Sequence, residues 1–144
     1  MKKVWGILLL AALLLAAVGC GSKTYRNGVY EGRSSVYEGA EDGSGAGYGV
    51  VTLTIENGAI SACEYHTYEP DGTLKDSEYG KQNGEIANRD FYNKAQRAVM
   101  ACERYAQQLT ASGKLSEVDA ISGATISYNE FEEAVRDALS KAEE

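Results

Sequence analysis

The sequence is poor in the residues that mark the commoner kinds of catalysis. It has one histidine (His66), one proline (Pro70), one tryptophan (Trp5) and three cysteines in 144 residues. With one histidine there can be no site with two imidazole ligands, and a Ser/His/Asp triad would have to be built around His66 alone. Cys20, Cys63 and Cys102 form no CxxC pair and have no histidine at metal spacing, so the usual zinc motifs are excluded. Basic residues are also scarce: 14 Lys and Arg against 21 Asp and Glu give a net charge of −7. There is no basic patch, and so acidic a chain would repel phosphates; no nucleic-acid partner is expected. Nor does any apolar run reach the roughly 20 residues of a spanning helix; the run from Val4 to Val18 is 15 residues long.

That run is nonetheless informative. Lys2 and Lys3 precede it and small residues follow it, the three-part pattern of a secretory signal. Ala17-Val18-Gly19-Cys20 resembles the lipobox of bacterial lipoproteins, with Ala17 where leucine is usual. The resemblance implies cleavage before Cys20 and its diacylation, and two acyl chains suffice for stable anchoring. The alternative is an ordinary signal peptide cleaved near Gly19. Loss of Lys2 and Lys3 removes two bases and no acid, taking the net charge from −7 to −9. The expected organisation is residues 1–20 as signal peptide with lipobox, 21–27 as a flexible tether, and 28–144 as one domain, at the extracytoplasmic face of the cell membrane.

Within the domain, the tetrapeptide VYEG occurs at 29–32 and 36–39, giving Tyr30 and Tyr37 as strand aromatics ahead of a glycine-rich, mobile loop. In "VVTLTIENGAISACEYHTYE", Val51, Leu53 and Ile55 alternate with Thr52 and Thr54. Asn57-Gly58 is the dipeptide best suited to a type I′ turn, so the segment reads as a hairpin returning through Ala59 to about Tyr68. On the second strand, Ile60 and Ala62 compete with Cys63 and Tyr65 for the buried face. Phe91, Ala95, Ala98, Cys102, Tyr105, Ala106 and Leu109 recur at helical spacing. That predicts a helix of about five turns, capped by Asn88 or Asp90 and ended by Gly113. Cys63 and Cys102 are either a disulfide or two small buried hydrophobes, and His66 is a structural strand residue. A last helix, with Phe131, Ala134, Val135, Ala138 and Leu139 on its apolar face, starts at Ser127-Tyr128-Asn129-Glu130, which has capping-box spacing with Ser127 as the cap. The fold class is α+β, a small antiparallel sheet packed with two main helices in a single domain.

Just before that helix stands "SGAT". Thr125 lies at the positive end of a helix whose first amides lack backbone acceptors. A phosphate on or near its hydroxyl would meet those donors, and Gly123 and Ala124 leave room for it. Asp119, Ser122, Gly123, Ala124 and Thr125 fill every fixed position of the motif Asp-x-x-Ser/Thr-Gly-Ala-Thr, and in this the chain resembles the FMN-binding domain family. That family includes the C subunit of the sodium-pumping NADH:quinone reductase and the G subunit of Rnf-type complexes. "NGVYEG", the hairpin and the helix after the motif are similar to the family's usual order.

The resemblance implies covalent FMN joined to Thr125 by a phosphoester bond. A separate FAD-dependent flavin transferase would attach it, with Asp119 in its recognition sequence; on residues alone Asp119 is equally a loop aspartate capping Ser122 or Gly123 amides. Expected cofactor-binding residues are Thr125, Ala124, Gly123, Ser122, Asp119 and Tyr128. Tyr48, Tyr65, Tyr68 and Tyr79 are further candidates for ring contact, and Lys75 and Lys81 of the 71–81 segment for screening phosphate. The expected role is electron transfer between redox donor and acceptor proteins, or with a quinone-linked membrane reductase. The alternatives are an FMN-bearing component of an extracellular reductase, and a binding lipoprotein without flavin.

Overall fold

The computed structural model describes residues 24–143; the signal segment, Cys20 and the first part of the expected tether lie outside the described residues. Three strands, β1 (Gly28–Arg33), β2 (Tyr48–Glu56) and β3 (Ala59–Tyr68), form an antiparallel sheet in the order β1-β2-β3. Two helices, α1 (Arg89–Ser112) and α2 (Thr125–Ala142), are joined by a single 3-10 turn at Leu115–Glu117. α1 packs on β3, and α2 packs on β1 and β2. The architecture is α+β, as the sequence predicts.

The hairpin forms at Asn57-Gly58, with φ of 51° and 73°, the positive pair that a type I′ turn requires. Val51, Leu53 and Ile55 of β2 are buried. On β3, Ile60, Tyr65 and Thr67 are all buried, although Ile60 is out of phase with the other two. The register explains this: Thr54 pairs with Ala62 and Ile55 with Ile60, so Ser61 is an extra residue. A bulge of this kind inverts the alternation on its strand, which is why both candidate faces looked apolar.

α1 runs for 24 residues, longer than the five turns expected. The Asn88 side chain accepts from the Phe91 N–H at 3.0 Å, and Gly113, at φ 68°, closes the other end by donating to Leu109 at 2.7 Å. Ala95, Cys102, Tyr105, Ala106 and Leu109 face the core. Cys63 and Cys102 are free thiols, and burial pushes them up to about 12 and about 11. His66 is exposed on β3.

α2 corrects the expected helix start. It begins at Thr125, and its cap residue is Ala124, which has no side-chain acceptor. Ser127 is already helical and, like Glu130, buried, so the capping box does not form. The Ala124 carbonyl takes the Tyr128 N–H at 3.0 Å, starting the helical ladder before Ser127 could cap it. Phe131, Ala134, Val135 and Ala138 are fully enclosed against the sheet and α1.

The exposed edge of β1 is covered by acids of α2: Arg33 N–H donates to Asp137 at 2.9 Å and Ser35 N–H to Glu133 at 3.0 Å. Covering an edge this way blocks further strand pairing. The glycine-rich stretch folds back as a loop whose neck is a pair of hydrogen bonds between Tyr37 and Gly47, at 2.7 and 2.9 Å. The expected tether is docked from Tyr25 on: Tyr25 bridges Glu143, Arg26 N–H donates to Ala142 at 2.8 Å, and Asn27 accepts from Gly58 at 3.0 Å.

Strand and helix meet most closely at Gly32. A Cβ there would lie 2.0 Å from the Ala134 carbonyl oxygen and 2.4 Å from the Ala138 nitrogen. Gly32→Ala must therefore push β1 off α2 and should cost about 3 kcal/mol in urea unfolding. An unchanged midpoint would contradict this packing.

Candidate functional site

A cavity of about 320 Å³ opens beside the start of α2, within the size range of small-molecule sites. One wall is the motif itself: Gly123, Ala124, Thr125, Ile126 and Ser127. Thr125 is exposed there as the first residue of α2. Gly123 has φ of 82° and open space where a Cβ would stand. Its glycine thus serves the backbone conformation and leaves the approach to Thr125 clear.

The motif loop is held from α1. The fully buried Tyr105 hydroxyl accepts from the Ile121 N–H at 2.9 Å and donates to the Ala124 carbonyl at 3.0 Å. One phenol therefore satisfies a backbone donor and a backbone acceptor on either side of Ser122-Gly123. Gln108, nearly one turn further along α1, makes two bonds to the Asp119 backbone: its Oε1 accepts from the N–H at 2.9 Å and its amide donates to the carbonyl at 3.4 Å. From the sheet, the Tyr65 hydroxyl donates to the Ser127 carbonyl at 2.6 Å.

The opposite walls come from α1 and the loops. Ala95, Ala98 and Val99 keep the α1 wall low, and Phe91 stands at its start, 40% exposed. Lys75 and Tyr79 enter from the segment after β3, and Asp42, Ser44 and Gly45 from the glycine-rich loop. Lys75 is 8% exposed, its ammonium donating to the Gly45 carbonyl at 3.2 Å and lying 5.0 Å from the Tyr79 ring centre. Gly47 makes this possible, since a Cβ there would come within 2.8 Å of the lysine nitrogen. Burial lowers the Lys75 pKa, and the charge of Glu130 acts in the opposite direction. Lys94 is a second, exposed cation on the rim.

Glu130 completes the lining. It is 5% exposed and its Oε1 has no hydrogen-bond partner. Burial pushes the carboxyl up to about 7, against the pull of Lys75.

The structure brings together only part of the expected site. Thr125, Ala124 and Gly123 line the cavity; Ser122 and Asp119 are exposed on the same loop outside it. Tyr128 faces away, its ring 5.6 Å from Tyr105 and its hydroxyl donating to Val118 at 3.3 Å. Tyr65 is in the core, and Tyr48 and Tyr68 stack on each other at 5.5 Å. Of the tyrosines considered, Tyr79 alone lines the cavity; of the two lysines, Lys75 does, while Lys81 pairs with Glu78 at 2.7 Å. Glu130, Phe91 and the alanines of α1 escaped sequence reasoning. Their spacing marks helix faces, and nothing in it shows that two faces would part to leave a cavity.

The domain is thus a small α+β fold with a threonine-headed helix opening on a cavity. A model of the FMN-binding domain family matches residues 44–140, and the chain belongs to that family. Among solved structures it is similar to the CPE2226 protein of Clostridium perfringens, with a TM-score of 0.57 and 17% identity over 82% of this chain and 88% of that one. A solution structure of a Clostridium thermocellum protein is similar with a TM-score of 0.41 and 18% identity, over 80% and 90% of the two chains. At these identities the likeness to the C. perfringens protein supports the fold. No curated protein matches the chain significantly.

The residues present fit FMN. The first-turn amides of α2, the open space at Gly123 and the lysines suit a phosphate, and Tyr79, Phe91 and the small α1 residues suit a ring.

Removing the Tyr105 hydroxyl would orphan both backbone groups it serves. Tyr105→Phe should cost about 1–3 kcal/mol and speed hydrogen exchange at Ile121 more than at Leu53. Equal protection of Ile121 in both proteins would show that the phenol does not hold the loop.

Proposed function

We propose that this protein is an extracytoplasmic electron carrier, tethered by lipid at Cys20 and bearing FMN on Thr125 through a phosphoester bond. The observation that carries the reading is the position of Thr125: first residue of α2, exposed, and on the wall of the cavity. The amides of that first turn have no intrahelical acceptors, and the helix dipole favours negative charge there. Lys75 and Lys94 add positive charge to the same cavity. When bound, the flavin supplies the redox chemistry; the chain holds the phosphate, orients the ring and shields it with Tyr79, Phe91 and α1.

Attachment falls to another protein. A threonine hydroxyl is a weak nucleophile without an adjacent base, and Asp119 is exposed and outside the cavity lining. An exposed Asp119-to-Thr125 loop of fixed shape suits recognition by an FAD-dependent transferase. A covalent flavin would also be retained outside the cytoplasm, where a dissociable one is lost.

The two ends of α2 give the carrier a direction. The chain enters the domain at Tyr25 beside Glu143, and Thr125 stands at the other end of an 18-residue helix, about 27 Å away at 1.5 Å per residue. From Cys20 to Tyr25 the chain can span at most about 18 Å. The tether and the flavin-bearing threonine therefore lie at opposite ends of α2.

Export of the domain with an active transferase should give in-gel flavin fluorescence after denaturation and a mass gain of one FMN less water. Thr125→Ala should lose both. Ser127→Ala, buried and not a cap, should keep them. Absence of flavin from the unaltered domain, with the transferase active on another acceptor, would overturn the proposal.

A further inference from the structure

The part of the cavity not accounted for by holding a phosphate and a ring is Glu130. A carboxyl on the floor of a site for a phosphorylated cofactor is electrostatically out of place, yet the fold makes room for it. Gly49 on β2 lies over it and over Tyr65, where a Cβ would sit 2.8 Å from the Tyr65 ring and 3.1 Å from the Cβ of Glu130. One carboxyl oxygen is sealed from water with no partner, an arrangement that costs stability and calls for a cause.

We propose that Glu130 is the proton reservoir of the redox site, releasing a proton into the cavity when the bound flavin is reduced and recovering it on reoxidation. This rests on the reading of Thr125 as the FMN-bearing residue. Two-electron reduction of a flavin requires protonation of the ring. The electrons come from an external reductant, a reduced redox protein in the cell or dithionite in the assay. As they enter, the O–H bond of Glu130 breaks and an N–H bond forms on a ring nitrogen. The carboxylate left behind faces the Lys75 ammonium, and is reprotonated from solvent or by the reverse step.

The surroundings suit this role. Lys75 approaches from the segment after β3 and favours the carboxylate, whereas Glu133 on α2 opposes it. Tyr65 of β3, Tyr79 of the following loop and Cys102 of α1 also feel the charge of Glu130. All three hold their own protons firmly, because burial raises each of them. Glu130, pushed up to about 7 and lining the cavity, can exchange a proton near neutrality.

Carbon-13 NMR of the flavin-free domain should show a carboxyl that titrates near neutrality and is missing from Glu130→Gln. A midpoint in the ordinary range, about 4.3, would overturn the proposal. In the flavinylated domain, stopped-flow reduction by dithionite should slow as pH rises through about 7. Glu130→Gln should be slower on the order of 10²-fold and lack that dependence. Lys75→Met should move the falling edge to higher pH, because Lys75 holds the Glu130 pKa down. Superimposable pH profiles for wild type and Glu130→Gln, both fully flavinylated, would overturn this inference alone. A wild-type domain without covalent flavin would overturn it together with the reading on which it rests.

Discussion

The site depends on one buried hydroxyl. Tyr105 lies in the middle of the core, stacked at 5.7 Å on Phe131, yet its phenol oxygen reaches the Ile121 N–H and the Ala124 carbonyl. A loop of small residues has little to hold it in shape, and buried backbone groups must be paired. Tyr105 provides the pairing from outside the loop, so packing of the core and placement of Thr125 become the same event. Because Ala124 also accepts the first helical bond, from Tyr128, fixing its carbonyl fixes where α2 begins.

The remaining geometry follows from where side chains are small or absent. Gly32 lets β1 and α2 touch backbone to backbone, Gly47 admits the Lys75 ammonium, and Gly49 admits the Tyr65 ring with Glu130 beside it. Ala95 and Ala98 leave the α1 wall of the cavity low. The two charged residues inside are unequal in cost: Lys75 has the Gly45 carbonyl and the Tyr79 ring, whereas Glu130 retains an oxygen without a partner. A folded pKa raised from 4.5 to about 7 means that protonation favours the fold. Stability from this group is complete below the unfolded value and is lost as pH rises through the folded one. Glu130 and Thr125 line the same cavity, so the group that costs stability sits in the candidate site.

How much of this could be read from residues varies with the range of the interaction. The hairpin was legible because Asn57-Gly58 and the alternation of β2 are local signals, and α1 was legible from its period and from Asn88. The face of β3 was ambiguous for a definite reason, the extra residue Ser61. The start of α2 was misplaced by three residues, since Ser127 and Glu130 have capping-box spacing but the helix is capped at Ala124, whose carbonyl the Tyr105 hydroxyl holds. The motif Asp119 to Thr125 indicated the family, and Gly123, Ala124 and Thr125 line the cavity. It does not indicate Tyr79, Lys75 and Glu130 as neighbours, because those meet only through the stacking of α1 and α2 on the sheet. Tyr128 illustrates the converse: three residues from Thr125 in sequence, it turns into the core against Tyr105.

The account stands on the cavity beside Thr125 being the place where the cofactor lies. A crystal structure of the domain isolated with its flavin attached tests this most directly. It should show phosphate density continuous with the Thr125 oxygen and the ring between Tyr79, Phe91 and the alanines of α1, with Glu130 beneath. A phosphate joined elsewhere, or a ring lying against the outer face of the sheet with the cavity filled by water, would contradict it.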